Sequence, residues 1–125
     1  MRLALVCLGG AFGSGARFLL AEWIGKAAGP GLPWGTWAVN VIGCFAIELV
    51  VLAGAREHLS STAVLTLTTG VLGGFTTYSA FNNQTLALLR GGGLGGVLYV
   101  AATLLGCALS GLCGWALGNA VFGRS

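Results

Sequence analysis

Charge is what this sequence has least of. Only 7% of its 125 residues are charged, six of them basic and three acidic, with a single histidine beside them. Soluble domains carry roughly 25% charged residues, so this chain lacks the polar surface that coats a particle in water. The few basic residues are scattered, which excludes a nucleic-acid-binding face. The four cysteines, Cys7, Cys44, Cys107 and Cys113, fall in no C-x-x-C or C-x-x-H spacing, and the lone His58 adds no metal pattern. They imply no disulfide framework and read as small apolar fillers. There is no Ser-His-Asp set, no phosphate loop opening after a strand and no carboxylate pair. Soluble enzyme chemistry is therefore excluded, and the chain is not expected to be an enzyme.

What is present is apolar: 56% of the residues are hydrophobic, and 23 are glycine. The natural solvent for such a chain is lipid. Charges and turns divide it into four helices at about 3–24, 34–55, 62–89 and 94–121. Each is long enough to cross a hydrocarbon core of about 30 Å at about 1.5 Å per residue. Gly29-Pro30-Gly31-Leu32-Pro33 and Arg90-Gly91-Gly92-Gly93 are turns, and Ser60 or Ser61 is placed to cap the third helix. The expected fold is an all-α membrane protein, one four-helix domain spanning 1–125. A cleaved signal peptide is the rival reading of the first helix, but the remainder would still be a membrane protein.

The charges that orient membrane helices are nearly balanced. Arg2, Arg56 and Arg124 fall on one side; Lys26 and Arg90, with Arg17 near that end of helix 1, fall on the other. With no clear positive-inside bias, the chain is expected to insert both ways and to pair as an antiparallel dimer. Small residues at Gly106, Ser110, Gly114 and Gly118, and at Gly9 and Gly13, form ridges suited to close helix contact, and are expected to serve that pairing.

The third segment departs from a lipid-facing helix. Residues 66–79 hold three glycines and six Ser/Thr hydroxyls, and Asn82, Asn83 and Gln84 follow. Gly73-Gly74 before the β-branched pair Thr76-Thr77 makes a weak helix, placed near mid-membrane. A break there would free carbonyl oxygens near Gly73 and Thr76, which suit a hard cation; a merely kinked packing helix uses the same residues. Tyr99, Thr103 and Cys107 lie four apart on one face of the last helix, as a polar track or as interhelical hydrogen-bonding groups. Asn40 and Glu48 are polar residues within the second helix, and an intramembrane acid marks a functional site by default.

Together these residues resemble the Fluc (CrcB-type) family of fluoride channels. The resemblance covers essentially the whole chain. It rests on Gly9-Gly10-Ala11-Phe12-Gly13-Ser14-Gly15-Ala16-Arg17, on Gly35-Thr36-Trp37-Ala38-Val39-Asn40-Val41-Ile42-Gly43, and on the stretch from Thr69 to Phe81 with its G-x-x-G-G-x-T-T-[FY]-S-x-F string. It implies a dual-topology antiparallel homodimer in the cell membrane, passing fluoride passively and lowering its level in the cell. It implies a structural sodium ion, Na+, at the dimer centre, held by the backbone carbonyls of Gly73 and Thr76. It places Asn40, Tyr78, Ser79, Phe81, Tyr99, Thr103 and Cys107 along the fluoride path and Arg17 at its vestibule. The chain departs from the family pattern in having Tyr78 for Phe, Ala80 for Thr, Gln84 for Glu, and Glu48 for a small residue; Glu48 and Gln84 have no role fixed by the resemblance. Such a path suits fluoride physically. The ion holds its water tightly, so donors such as the Asn40 amide and the Ser79 and Tyr99 hydroxyls must replace that water, helped by aromatic ring edges and a fixed buried cation.

Two other classes fit four short spans. A proton-coupled multidrug exporter needs an acid deep in its first helix, where this chain has none before Glu22. A non-transporting assembly factor held by its glycine ridges would be indifferent to changes at Asn40 and Phe81.

Overall fold

The computed structural model describes residues 1–123. Arg124, which enters the charge balance, lies outside the described residues. The elements are α1 (Arg2–Ala28), α2 (Trp34–Ala55), α3 (Ser61–Leu65), a wide-turn π-helical segment (Thr66–Leu72), α4 (Gly73–Phe75), α5 (Tyr78–Arg90) and α6 (Gly95–Phe122). No strand occurs among the described residues. The fold is all-helical, and α1, α2 and α6 are each long and apolar enough to cross a membrane. The third segment crosses as a bent, interrupted helix.

Local chemistry explains the ends. Gly29, which closes α1, has φ 75°, and Gly92 between α5 and α6 has φ 73°; such backbone carries little cost only without a Cβ. Ser60, rather than Ser61, caps α3 by accepting the Ala63 amide at 3.2 Å. Within the third segment, Thr66 and Thr68 donate their hydroxyls back to the carbonyls of Thr62 and Val64, each at 2.8 Å. The ladder widens to a π-helical turn there.

Polar side chains share the interior with Val39, Phe81 and Tyr99, while large apolar side chains cover the exterior. Thr36, Asn40, Thr85 and Thr103 are buried, whereas Leu8, Phe12, Phe18, Trp23, Leu105, Leu109 and Trp115 are exposed. Lipid accepts the apolar exterior, while every buried polar side-chain atom among the described residues has a hydrogen-bond partner, as hydrocarbon surroundings demand.

The glycine ridges are used inside the protomer, which corrects the expectation that they pair two copies. A Cβ on Gly9 would press on Thr66 and Val71 backbone, one on Gly13 would overlap the Val71 carbonyl, and one on Gly74 would overlap the Gly10 carbonyl. The ridge of α6 lies on α2 in the same way: a Cβ on Gly114 would meet Phe45 backbone, and one on Gly118 would meet the Leu52 side chain. Ser110 donates to the Val41 carbonyl at 2.7 Å and the Trp37 indole to that of Ala102 at 3.0 Å. Small residues let these helices approach closely, so the ridges serve packing within the protomer.

Candidate functional site

The break in the third segment falls at Thr76 and Thr77, which are extended (φ −86°, ψ 157° and φ −151°, ψ 112°). Asn40 of α2 holds this corner open. Its Oδ1 accepts the Thr77 amide at 2.8 Å, and its Nδ2 donates to the Thr77 carbonyl at 3.1 Å. One side chain thus pairs with both polar groups of one peptide residue, as a neighbouring strand would.

The consequence is felt by Gly73 and Thr76. In an unbroken helix the Gly73 carbonyl would accept the amide of Thr77, and the Thr76 carbonyl that of Ala80. The Thr77 amide is taken by Asn40, and the Ala80 amide is taken by the Thr77 hydroxyl at 3.2 Å, which caps α5. Both carbonyls are thereby released from the ladder at one corner of the backbone. Two freed backbone oxygens are the donor type a hard cation takes, so these residues fit such an ion chemically. The neighbouring Gly74 carbonyl is used differently: it accepts from Arg17 Nε at 3.1 Å and from the Ser14 hydroxyl at 3.4 Å. Arg17 therefore places positive charge at the carbonyl end of α4, where a cation is favoured.

A groove of about 370 Å³ opens beside the break, lined by Asn40, Gly73, Thr76, Tyr78, Phe81, Thr103 and Cys107 among others. Those seven are all residues singled out in the sequence. Phe81 is 7% exposed and Tyr78 76%, so the first is built into the protomer and the second projects from it. Their ring centroids are 5.6 Å apart, and Phe81 lies 5.4 Å from Tyr99, giving a ladder of tilted aromatic contacts.

Of the other sequence-selected residues, Tyr99, Gln84, Ser79, Arg17 and Glu48 lie off this groove. Tyr99 is buried behind Phe81, and its hydroxyl donates to Gln84 Oε1 at 3.0 Å. That bond leaves the Gln84 amide group as the donor end of the pair. Ser79 is exposed, with its hydroxyl 3.3 Å from that of Thr77. Thr103 donates its hydroxyl to the Tyr99 carbonyl of its own helix at 2.8 Å, so its proton is already engaged. Arg17 lines a separate small groove with Thr36, Thr77 and Ala80. Glu48 lies in a second groove of about 650 Å³, which shares Cys44, Ile47 and Cys107 with the first.

Sequence reasoning passed over Gly43, Cys44, Ile47, Thr68 and Leu72, which also line the first groove. A signal for the first three was available. Asn40, Gly43, Cys44 and Ile47 stand at i, i+3, i+4 and i+7, the spacing of one helix face, so Asn40 facing inward carries the others with it.

Residues 4–115 match the family described as CrcB-like protein, Camphor Resistance (CrcB). The chain is 50% identical over 108 residues to a protein named fluoride-specific ion channel FluC from Anaeromyxobacter dehalogenans, covering 85% of this chain and 86% of that one. It is 44% identical over 124 residues to the protein of the same name from Agrobacterium fabrum, covering 98% and 99%. Over 123 residues it is 44% identical to that from Thermus thermophilus, covering 98% and 97%. With its three apolar spans, its interrupted third crossing and this likeness along nearly its full length, the chain belongs to the CrcB-like family of multi-pass membrane proteins.

Proposed function

We propose that the protein is a fluoride-selective channel of the cell membrane that lets fluoride leave the cell passively. It works as an antiparallel homodimer of dual topology, with a structural sodium ion at the dimer centre. The names of its relatives support fluoride as the permeating ion. The observation that carries the mechanism is the Asn40 clamp on Thr77.

The clamp does two things. It turns the backbone of the third segment into a fixed corner, and it directs the Asn40 side chain to the groove. Nδ2 has two N–H donors, and the Thr77 carbonyl takes one. The second is free to meet an anion in the groove. Phe81, held between Tyr78 and Tyr99, offers a ring edge of partial positive charge beside it. These contacts are several and individually weak, which suits passage better than one tight site. The projecting Tyr78 and the open groove suit a second copy as the missing wall. Gly73 and Thr76 would hold the sodium ion through their released carbonyls, and when bound it would supply a fixed positive charge that lowers the cost of an anion in low dielectric.

The test is flux. Purified protein in liposomes loaded with fluoride or chloride is expected to release fluoride, read by an ion-selective electrode, and to retain chloride. Equal release of both would remove selectivity, and no release would remove the channel. Cross-linking that finds every copy in one orientation would remove the antiparallel dimer.

A further inference from the structure

We propose that Cys44 and Cys107 form a two-thiol site for a soft divalent metal ion of the Hg2+ type, and that an ion held there obstructs the groove of Asn40 and Phe81. The obstruction rests on the fluoride-channel reading; the site does not.

The backbone brings the two thiols together. Ser110 donates to the Val41 carbonyl at 2.7 Å, three residues from each cysteine, and so fastens α6 to α2 at this level. No side chain holds the two helices apart here. A Cβ on Gly106 would meet Trp37 and Val41, and one on Gly111 would lie 3.8 Å from the Cys44 carbonyl. With the backbones so close, the Cys44 and Cys107 side chains face each other across the seam and interact directly. Both cysteines are free and half-buried, whereas Cys7 and Cys113 are exposed. Both also line the groove beside the break, so their sulfurs are open to a solute that enters it.

The chemistry selects the ion. Thiolate sulfur is a soft ligand and favours soft metals. Among the described residues no group of three or more His, Cys, Asp or Glu side chains is placed to hold a metal. Zinc takes four ligands in a structural site and would be left half-coordinated, whereas Hg2+ is satisfied by two sulfurs in a line. A metal between two sulfurs holds them roughly 4–5 Å apart, twice a metal–sulfur bond of about 2.3 Å, a separation within reach of neighbouring side chains. Binding replaces two S–H bonds by two metal–sulfur bonds and releases two protons; no electron is transferred. The two thiolates neutralise the divalent ion, so no net charge remains in the membrane interior, where one is costly. The filled site takes up volume in the groove and offers no hydrogen-bond donor to a passing anion.

The test uses the full chain with Cys7→Ala and Cys113→Ala as background, reduced and in liposomes. Hg2+, supplied as its nitrate, is titrated in while mercury–thiolate charge-transfer absorption and proton release are followed. One ion per protomer and two protons per ion are expected, and Zn2+ at the same concentration should give neither signal. Fluoride flux should fall to the rate of protein-free liposomes given the same Hg2+, and return when a small dithiol removes the metal. Cys44→Ser and Cys107→Ser in that background should each lose the one-to-one titration and the inhibition, each judged against its own metal-free flux. Serine keeps the shape of cysteine without the soft sulfur, and two positions guard against a variant that fails to fold. No one-to-one titration in the background, or the same titration in both serine variants, would overturn the site. A filled site with unaltered flux would overturn the obstruction. Absence of fluoride flux before any metal is added would overturn the channel and the obstruction with it, while the titration still decides the site.

Discussion

Two segments of similar length, one apolar and one rich in hydroxyls and amides, behave differently in this molecule. Gly95–Phe122 is one helix, whereas Ser61–Arg90 is three helices joined by a wide turn and an extended corner. Both contain glycines and hydroxyls, and both exchange hydrogen bonds with α2. The difference lies in which backbone atom is engaged. In α6 the outside partner is a donor: the Trp37 indole reaches the Ala102 carbonyl. A carbonyl has two lone pairs and keeps its place in the ladder. In the third segment the outside partner also accepts, and Asn40 Oδ1 removes the Thr77 amide itself. An amide has one proton, so the ladder ends where that proton is taken. Composition weakens a helix; capture of an amide by a neighbour breaks it.

The most damaging change should therefore be Asn40→Leu. It leaves the Thr77 amide and carbonyl without their partner in a nonpolar setting, at about 1–3 kcal/mol for each unsatisfied group. Unfolding in detergent should show a loss on the order of 2–5 kcal/mol, and fluoride flux should fall more than about tenfold. Asn40→Asp sharpens the comparison. It keeps the acceptor for the Thr77 amide and loses the donor to the Thr77 carbonyl, so it should stand between wild type and Leu. Equal stability of all three would show that the corner forms without the clamp.

Next in size is the contact between α1 and the broken segment. A Cβ at Gly13 would overlap the Val71 carbonyl, which is backbone and cannot turn aside, whereas a Cβ at Gly15 meets open space. Gly13→Ala should cost about 1–3 kcal/mol by overpacking, and Gly15→Ala should be neutral on the same unfolding curve. Identical curves would mean that α1 is not seated against Val71.

Thr77→Ala tests the start of α5. The hydroxyl accepts the Ala80 amide, and losing such a cap costs about 1 kcal/mol. Thr77→Ser should restore stability while Thr77→Ala lowers it. A fluoride flux that falls with the Ala variant and returns with Ser would tie the release of the Thr76 carbonyl to conduction.

How much of this was legible follows from the same physics. The crossings were readable because charges and Gly-Pro clusters punctuate long apolar runs, and Gly73-Gly74-x-Thr-Thr announced a weak helix near its true break. The two-bond clamp was not readable, since nothing in the spacing of Asn40 and Thr77 says they meet. The glycine ridges were legible as packing surfaces but not as to partner: a small-residue stripe fits an adjacent helix of the same chain as well as one of another. Hydroxyl direction was also hidden. Tyr99, Thr103 and Cys107 share a face by spacing, yet Tyr99 turns to Gln84 and Thr103 to its own backbone, choices made by the nearest acceptor rather than by periodicity.

The smallest effect should come from Thr103→Val. The Thr103 side chain lines the groove, but its proton goes to the Tyr99 carbonyl. It then shows the groove only lone pairs, which do not attract an anion. The lost bond sits inside a helix whose carbonyl still accepts its own amide, so the change should cost no more than about 1 kcal/mol. Fluoride flux should stay within about twofold of wild type, whereas Phe81→Ile, which removes a ring edge from the same groove, should lower it clearly. If Thr103→Val instead abolishes flux, the hydroxyl must leave the Tyr99 carbonyl and turn toward the passing ion. In that case α6 takes part in conduction by the same exchange of partners that Asn40 imposes on the third segment, and the contrast between the two crossings would be one of timing rather than of kind.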